Sequence, residues 1–271
     1  MGFIHSLPRL VFSDVLLGSI NWGAASNEMK TLEFWQNEAN YLDNDLPEVS
    51  SHTFYSPPLT DTSVVIDLGG ATAAFSHALA STYGCCCHVV EATSHNIERI
   101  KETDLIRKYH YAISGDDKPV TLHIADDEYH WGSIDLPPGF NSVATEKVRG
   151  ITLERFLNEI ECLEPDLVKV DIEGAEIEMF DSSSDEIIQN VGQFTVEFHD
   201  FLDISFKEKI SRILARFISL GFFCVIFTRK YHGDVLFINP RKISINPIKK
   251  YQIRYLTKYT RGVMRIARRI K

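Results

Sequence analysis

The chain has 271 residues, 44% of them hydrophobic and 24% charged, enough for one large domain or two small ones around a substantial core and unlike a fibrous or disordered chain. Its longest apolar run, Leu220 to Phe227, is far short of the roughly 20 residues that a membrane-spanning helix needs. The net charge of −9 is split, because residues 1–228 carry −21 and residues 229–271 carry +12 with Asp234 as their one acid; the body is a poor partner for nucleic acid, and the C-terminus has reason to meet an anionic surface.

The first twenty residues are fairly apolar, but His5, Arg9 and Asp14 interrupt them, and they read as mature chain rather than a signal peptide. Met29, Leu32, Phe34, Trp35, Ala39 and Leu42 predict a partly apolar helix opened by Asn27. It belongs to an N-terminal extension or lid over residues 1–60. A strand, helix and strand rhythm then begins: strand Val64–Asp67 ending in Gly69-Gly70, helix Ala73–Tyr83, and strand Cys85–Glu91. The triplet Cys85-Cys86-Cys87 has neither bridging geometry nor zinc spacing, so it reads as buried strand in a reducing, cytoplasmic compartment. Further apolar runs at Tyr109–Ile113, Leu167–Val170, Phe194–Phe198, Phe222–Phe227 and Val235–Ile238, with helices at Thr152–Ile160 and Lys207–Leu220, predict an α/β domain over residues 61–240. Its sheet is largely parallel and covered on both faces. The last two runs are close enough to form an edge hairpin, with Arg229–Asp234 as its turn.

A buried strand ending Asp67-Leu68-Gly69-Gly70 puts small residues where a ligand must approach the backbone. Glu91 ends the next strand, where an acid can accept hydrogen bonds from a ribose. Nicotinamide dinucleotides and S-adenosylmethionine both use such a site. The loop L-G-G-A-T-A-A lacks the spaced glycines of a dinucleotide fingerprint, and Asp67 suits a cationic cofactor better than a pyrophosphate. A nicotinamide-dependent oxidoreductase is therefore disfavoured.

Three pieces of the second half sharpen this reading: Thr152-Leu153-Glu154, Lys169-Val170-Asp171-Ile172-Glu173-Gly174-Ala175-Glu176, and Glu197-Phe198-His199. With them the sequence resembles the FkbM-type family of S-adenosylmethionine-dependent methyltransferases over roughly residues 60–240. That family's landmarks are a D-x-G-A-N-x-G loop, T-L-D, K-x-D-x-E-G-A-E and a later E-x-H. The resemblance implies a doubly wound, mostly parallel seven-stranded sheet of class I methyltransferase type. It also implies S-adenosylmethionine as cofactor and Asp171 beside cofactor and acceptor. Asp67, Gly69, Gly70, Glu91 and Asp171 are the cofactor residues, with Ser114 facing the adenine by analogy. The chain departs from the family at Ala71 and Ala73, where Asn and Gly are usual, and at Glu154 in place of Asp; the altered loop is expected to weaken the cofactor site.

Lys169 and Asp171 share one face of a strand, and a buried lysine needs a carboxylate partner such as Asp171 or Glu173. Glu197 and His199 share a face at the next strand end. A hydroxyl acceptor needs a base within hydrogen-bond reach, so the catalytic candidates are His199 first and Glu173 second, with Asp171 and Glu197. Asp171, Glu173, Glu197 and His199 are also able to ligate a divalent ion, but their spacing is no recognised signature and no metal site is assigned. The aromatic-after-two-prolines motif of nucleobase methyltransferases is absent, since Pro137-Pro138 is followed by Gly139. Residues 1–60 and the loop Asp116–Thr145, with Tyr129, His130 and Trp131, are the candidate acceptor pocket.

From Tyr251, apolar Ile253, Leu256, Val263, Ile266 and Ile270 alternate at helical spacing with Arg254, Lys258, Arg261, Arg265 and Arg268. Residues 241–271 thus form a basic amphipathic tail that either lies on an anionic membrane surface, at the inner face of the cell membrane, or packs on the acidic body. The expectation is O-methyl transfer to a hydroxyl of a sugar, glycan or glycolipid precursor. The competing reading is a catalytically weak methyltransferase-like scaffold near a membrane.

Overall fold

A computed structural model describes residues 45–124, 132–134, 142–200, 205–228, 230–257 and 259. The helix expected at Asn27–Leu42, the aromatic trio Tyr129-His130-Trp131 and the end of the basic tail, residues 258 and 260–271, lie outside the described residues.

The described chain opens with a small hairpin, β1 (Glu48–Val49) and β2 (His52–Thr53). Its two-residue loop, Ser50 and Ser51, has φ of 48° and 66°, the doubly left-handed pattern that matches the twist of a tight hairpin. The segment is part of the body. The Phe54 ring packs edge-on to Phe75 and Tyr83, and Gln193 exchanges two hydrogen bonds with the Tyr55 backbone, each 2.8 Å.

The wound domain follows: β3 (Val64–Leu68), α1 (Ala74–Tyr83), β4 (Cys86–Glu91), α2 (Ser94–Arg99) and β5 (Ile106–His110). Then come β6 (Ala112–Ile113), β7 (Val120–Ile124), β8 (Gly132–Ser133), β9 (Ala144–Val148), β10 (Gly150–Ile151) and α3 (Leu153–Glu159). β11 (Leu167–Val170), α4 (Glu176–Ser182), α5 (Asp185–Asn190), β12 (Gln193–Val196) and α6 (Phe206–Ser219) continue it. β13 (Phe223–Ile226), β14 (Val235–Ile238) and α7 (Pro247–Tyr251) complete it, with a π-helical turn at Gln252–Thr257.

Seven strands form one sheet in the order β13-β14-β12-β11-β3-β4-β5. Only β14 runs against the others, pairing with both β12 and β13. The expected edge hairpin and parallel centre are both present. Alternation along each central strand divides the core. Ile66, Leu68, Val168 and Val170 face a cluster with Phe180, Phe194, Phe217 and Phe237, while Val65, Val89 and Leu167 face Phe75 and Leu79 of α1. A third cluster joins β13 and β14 to Leu46, Tyr55 and Ile253. α6 turns Ile210, Ile213 and Phe217 inward at helical spacing.

Two expectations need correction. The run Tyr109–Ile113 is not one strand: β5 ends at His110, and Ala112–Ile113 pairs separately with Gly150–Ile151. β5 is an edge strand, and its half-exposed Ile-Arg-Lys-Tyr-His sequence carries no apolar run. Residues 116–145 are not merely a loop, because β7 pairs antiparallel with β8 and β9. Among the described residues all five cysteines are free, with Cys85 and Cys87 buried as the strand reading required, and no helix is long and apolar enough to cross a membrane.

Candidate active site

The carboxyl ends of β3, β4, β11 and β12 meet at one edge of the sheet, where β3 gives way to the glycine loop. The amide groups of Gly69 and Gly70 both donate to the Val90 carbonyl, at 2.9 and 3.0 Å. A methyl on Gly69 would lie 1.7 Å from the Asp171 carbonyl oxygen, and one on Gly70 would lie 2.1 Å from Val89 Cγ1. The glycines are thus required first by the protein's own neighbouring strands. Ala71 and Ala73 have φ of 47° and 59°, so the loop keeps at both places the left-handed backbone that Asn and Gly adopt more readily.

Asp67 does not reach the cleft. It is wholly buried, accepts a 2.7 Å hydrogen bond from Ser76 Oγ, and sits 3.2 Å from Lys169 Nζ. Lys169 also lies 3.4 Å from Asp171 and donates 2.6 Å to the Gly69 carbonyl. Burial opposes its charge, but Asp67 and Asp171 hold the ammonium above its usual range. One lysine therefore ties the ends of β3 and β11 to the glycine loop, with Asp67 rather than Glu173 as the second partner beside Asp171.

The cleft is bordered by Gly69, Ala71, Glu91, Asp171 and Glu173 on its polar side and by Ala112, Ile113, Leu122 and Ile134 on its apolar side. Glu91 ends β4 with its carboxylate fixed: Oε2 accepts from the Ala71 amide at 2.8 Å, and Oε1 accepts from the amide and hydroxyl of Thr93, each at 2.8 Å. Ser114 is buried, donates 2.6 Å to the Asp116 carbonyl, and is not among the cleft-lining residues, nor is Gly70.

Asp171 and Glu173 follow β11. Burial pushes Asp171 up, yet Lys169, His52 and His199 together hold it well below the usual carboxylate range. Glu173 has a left-handed φ of 54°, a conformation costing a non-glycine residue about 1–2 kcal/mol. Behind it, Glu176 is almost wholly buried at the start of α4, and its Oε1 accepts from the Ile172 and Gly174 amides, both at 3.1 Å. The same oxygen lies 2.9 Å from His199 Nδ1, while His199 Nε2 is 3.1 Å from Glu173 and 3.7 Å from Asp171. Burial opposes protonation of His199, but Glu176 and Glu173 raise its affinity for the proton well above the ordinary imidazole value. Glu197 has no such cation to itself, and burial, then Asp171, pushes its carboxyl up to about 8.

Glu197 and His199 do not end a strand as expected. β12 stops at Val196, and the chain beyond it is held by the Phe198 amide donating 2.9 Å to the His232 carbonyl. Two residues of the site were not among the catalytic and cofactor candidates of the sequence. Glu176 was visible as the last letter of K-V-D-I-E-G-A-E, but nothing in the letters shows it turning back beneath His199. His52, whose Nε2 lies 3.4 Å from Asp171 Oδ2, comes from the hairpin outside the stretch that carries the motifs. Atoms of His52, Asp171 and Glu197, and likewise of Asp171, Glu173 and His199, lie close enough together to hold a metal ion. No metal is assigned, since the acid that both groups share, Asp171, already has the Lys169 ammonium 3.4 Å away.

The donor set fits S-adenosylmethionine. An apolar slot accepts an adenine, a fixed carboxylate beside it accepts hydrogen bonds from ribose hydroxyls, and the acids at the end of β11 offset a positive sulfonium. Ala71 and Ala73 preserve the backbone of the loop rather than closing it.

A profile described as a methyltransferase FkbM domain matches residues 67–224, more than half of the chain. Among solved structures, a putative methyltransferase of an antibiotic biosynthesis pathway from Anabaena variabilis shares 15% identity over 59% of this chain and 44% of its own, with a TM-score of 0.29. The chain thus spans less than half the length of that relative. A precorrin-6Y C5,15-methyltransferase from Geobacter metallireducens shares 11% identity, over 67% and 80% of the two chains, with a TM-score of 0.37. A putative caffeoyl-CoA O-methyltransferase from Staphylococcus aureus shares 10%, over 80% and 88%, with a TM-score of 0.38. No curated protein matches the chain significantly. The strand order, the carboxylate-bordered cleft and the profile match lead to one conclusion: the chain belongs to the FkbM methyltransferase family and carries the class I methyltransferase fold.

Proposed function

We propose that this protein transfers the methyl group of S-adenosylmethionine to a hydroxyl of a sugar, glycan or glycolipid precursor. The observation that carries the reading is the pair Asp171 and Glu173 at the cleft, with His199 and Glu176 buried behind them. Bound in the cleft, S-adenosylmethionine supplies an electrophilic methyl group. Glu91 and the loop from Gly69 to Ala71 would hold its ribose side, the slot of Ala112, Ile113, Leu122 and Ile134 its base, and Asp171 its cationic end.

An aliphatic hydroxyl is a weak nucleophile until its proton is drawn away. Access decides which group does this. His199 is 4% exposed and does not line the cleft, whereas Glu173 does. His199 also holds its proton, and an imidazolium donates rather than accepts. We therefore place Glu173 as the base and His199, pinned by Glu176, as the positioning residue that fixes the Glu173 carboxylate through its 3.1 Å contact. Glu197, protonated below about pH 8, adds no further negative charge to the cluster.

The test is methyl transfer from isotopically labelled S-adenosylmethionine to a panel of sugars and glycans. The reading expects an alkali-stable methyl ether. Glu173→Gln should keep cofactor affinity and lose roughly 100-fold or more in kcat. Label appearing on nitrogen or as an alkali-labile ester would overturn the hydroxyl assignment. Cofactor binding without transfer to any acceptor would favour the scaffold reading.

A further inference from the structure

Among the described residues, the C-terminal segment from Asn246 turns one side to the body. Asn246 caps α7 by accepting from the Lys249 amide at 2.7 Å, and Pro247 occupies its first turn. Ile253 is then wholly buried in the cluster with Phe223, Val225, Leu236 and Ile238. Lys249 pairs with Asp45 at 2.6 Å, so part of the basic charge is answered by the acidic body. The other side of the same segment turns outward: Ile248, Tyr251, Tyr255 and Tyr259, spaced by three and four residues, are 72%, 61%, 46% and 65% exposed. The rings of Tyr251 and Tyr255 stand 4.8 Å apart in a tilted stack. Lys250 and Arg254 flank this stripe, their cations 5.8 and 5.0 Å from the Phe223 ring.

Large apolar side chains in an exposed row mark an interaction surface. Two features identify what covers it. Residues 229–271 carry a net charge of +12, so an anionic partner is complementary. Three of the four exposed side chains are tyrosines, whose apolar rings and polar hydroxyls suit the boundary between lipid headgroups and hydrocarbon. We propose that α7, its π-helical continuation and Tyr259 just beyond it dock this protein on an anionic lipid bilayer, with Ile248, Tyr251, Tyr255 and Tyr259 at the interface and the flanking Lys250 and Arg254 toward the headgroups. The two sequence readings of the tail are thereby joined, because one side of a single helix packs on the body and the other on the membrane.

Docking there leaves the cleft open. Phe223 is level in the sheet with Ile238, Gln193 and Leu167, at the amino ends of the parallel strands, while the cleft lies beyond their carboxyl ends. The inference does not depend on which acceptor the enzyme methylates.

Sedimentation of the full chain with vesicles tests it. Binding is expected to vesicles of phosphatidylcholine with phosphatidylserine, weakened by added salt, and not to phosphatidylcholine alone. The variant Ile248→Ser/Tyr251→Ser/Tyr255→Ser keeps every positive charge and should bind roughly tenfold or more weakly, with thermal stability and cofactor affinity unchanged. Failure of the full chain to bind the anionic vesicles overturns the proposal, as does equal binding by the variant. A wild-type dimer that the variant converts to a monomer, seen by light scattering, would assign the stripe to a second copy of the chain instead.

Discussion

Replacing Lys169 by Met removes a cation from a place where two carboxylates depend on it. Asp67 is wholly buried with its oxygens 2.7 Å from Ser76 Oγ and 3.2 Å from Lys169 Nζ, and Asp171 is 3.4 Å from the same ammonium. Met fills nearly the same volume, so the change isolates charge. Stripping one partner from a buried ion pair costs about 3–5 kcal/mol, which in a chain of this size lowers Tm by roughly 10 °C. The double variant Asp67→Asn/Lys169→Met restores neutrality around β3 and should recover a good part of that loss, giving a favourable interaction energy in the double-mutant cycle. Urea unfolding with a common slope m measures all four corners. Because Asp67 lies behind the loop, Asp67→Asn alone should cost stability far more than it costs S-adenosylmethionine affinity in titration calorimetry. A single-variant loss under about 1 kcal/mol for Lys169→Met, against the 3–5 expected of a buried pair, would refute the reasoning. So would loss of cofactor binding in Asp67→Asn with stability unchanged.

Glu91→Gln should weaken S-adenosylmethionine binding by roughly ten- to a hundredfold, the worth of one charge-assisted hydrogen bond, and calorimetry showing equal Kd values would remove Glu91 from the cofactor site. Glu197 carries its proton up to about pH 8, whereas in the unfolded chain it loses it near the ordinary glutamate value. The folded state therefore binds more protons between these limits, and the stability that Glu197 contributes is complete below pH 4 and is lost as pH rises through about 8; urea midpoints from pH 5 to 9 should fall less steeply in Glu197→Gln, and parallel curves would count against the assignment. Glu176→Gln should lower the pH at which His199 releases its proton, shift the alkaline limb of the pH–rate profile down and reduce kcat more than KM; a variant with an unmoved profile would leave Glu176 a purely structural residue. Ala71 is exposed and left-handed, so Ala71→Gly should stabilise by about 0.5–1 kcal/mol. Ala73 is wholly buried in the same conformation, and Ala73→Gly should gain nothing, because the lost methyl packing offsets the relief; calorimetric scans giving equal shifts for the two would contradict this.

The sequence by itself determined the wound α/β core and its family. Short buried strands announce themselves through runs such as Val64-Val65-Ile66 and Leu167–Val170, and D-x-G-G with K-V-D-I-E-G-A-E at its distance is a pattern of chemistry, not of packing. Elements with little apolar content stayed hidden: the polar edge strand β5 and the antiparallel β7–β9 pair carry no such runs. Tertiary structure alone decided what each charge does. Asp67 and Glu91 look alike as acids at strand ends, yet one is enclosed with Lys169 and Ser76 while the other borders the cleft. His199 reads as a free base in one dimension and is held protonated by Glu176 and Glu173 in three. His52 reaches Asp171 across 119 positions of chain, a contact no local pattern encodes. The physical reason is common to all three: burial and partner distance set the state of an ionisable group, and both are properties of the packed chain rather than of the residue.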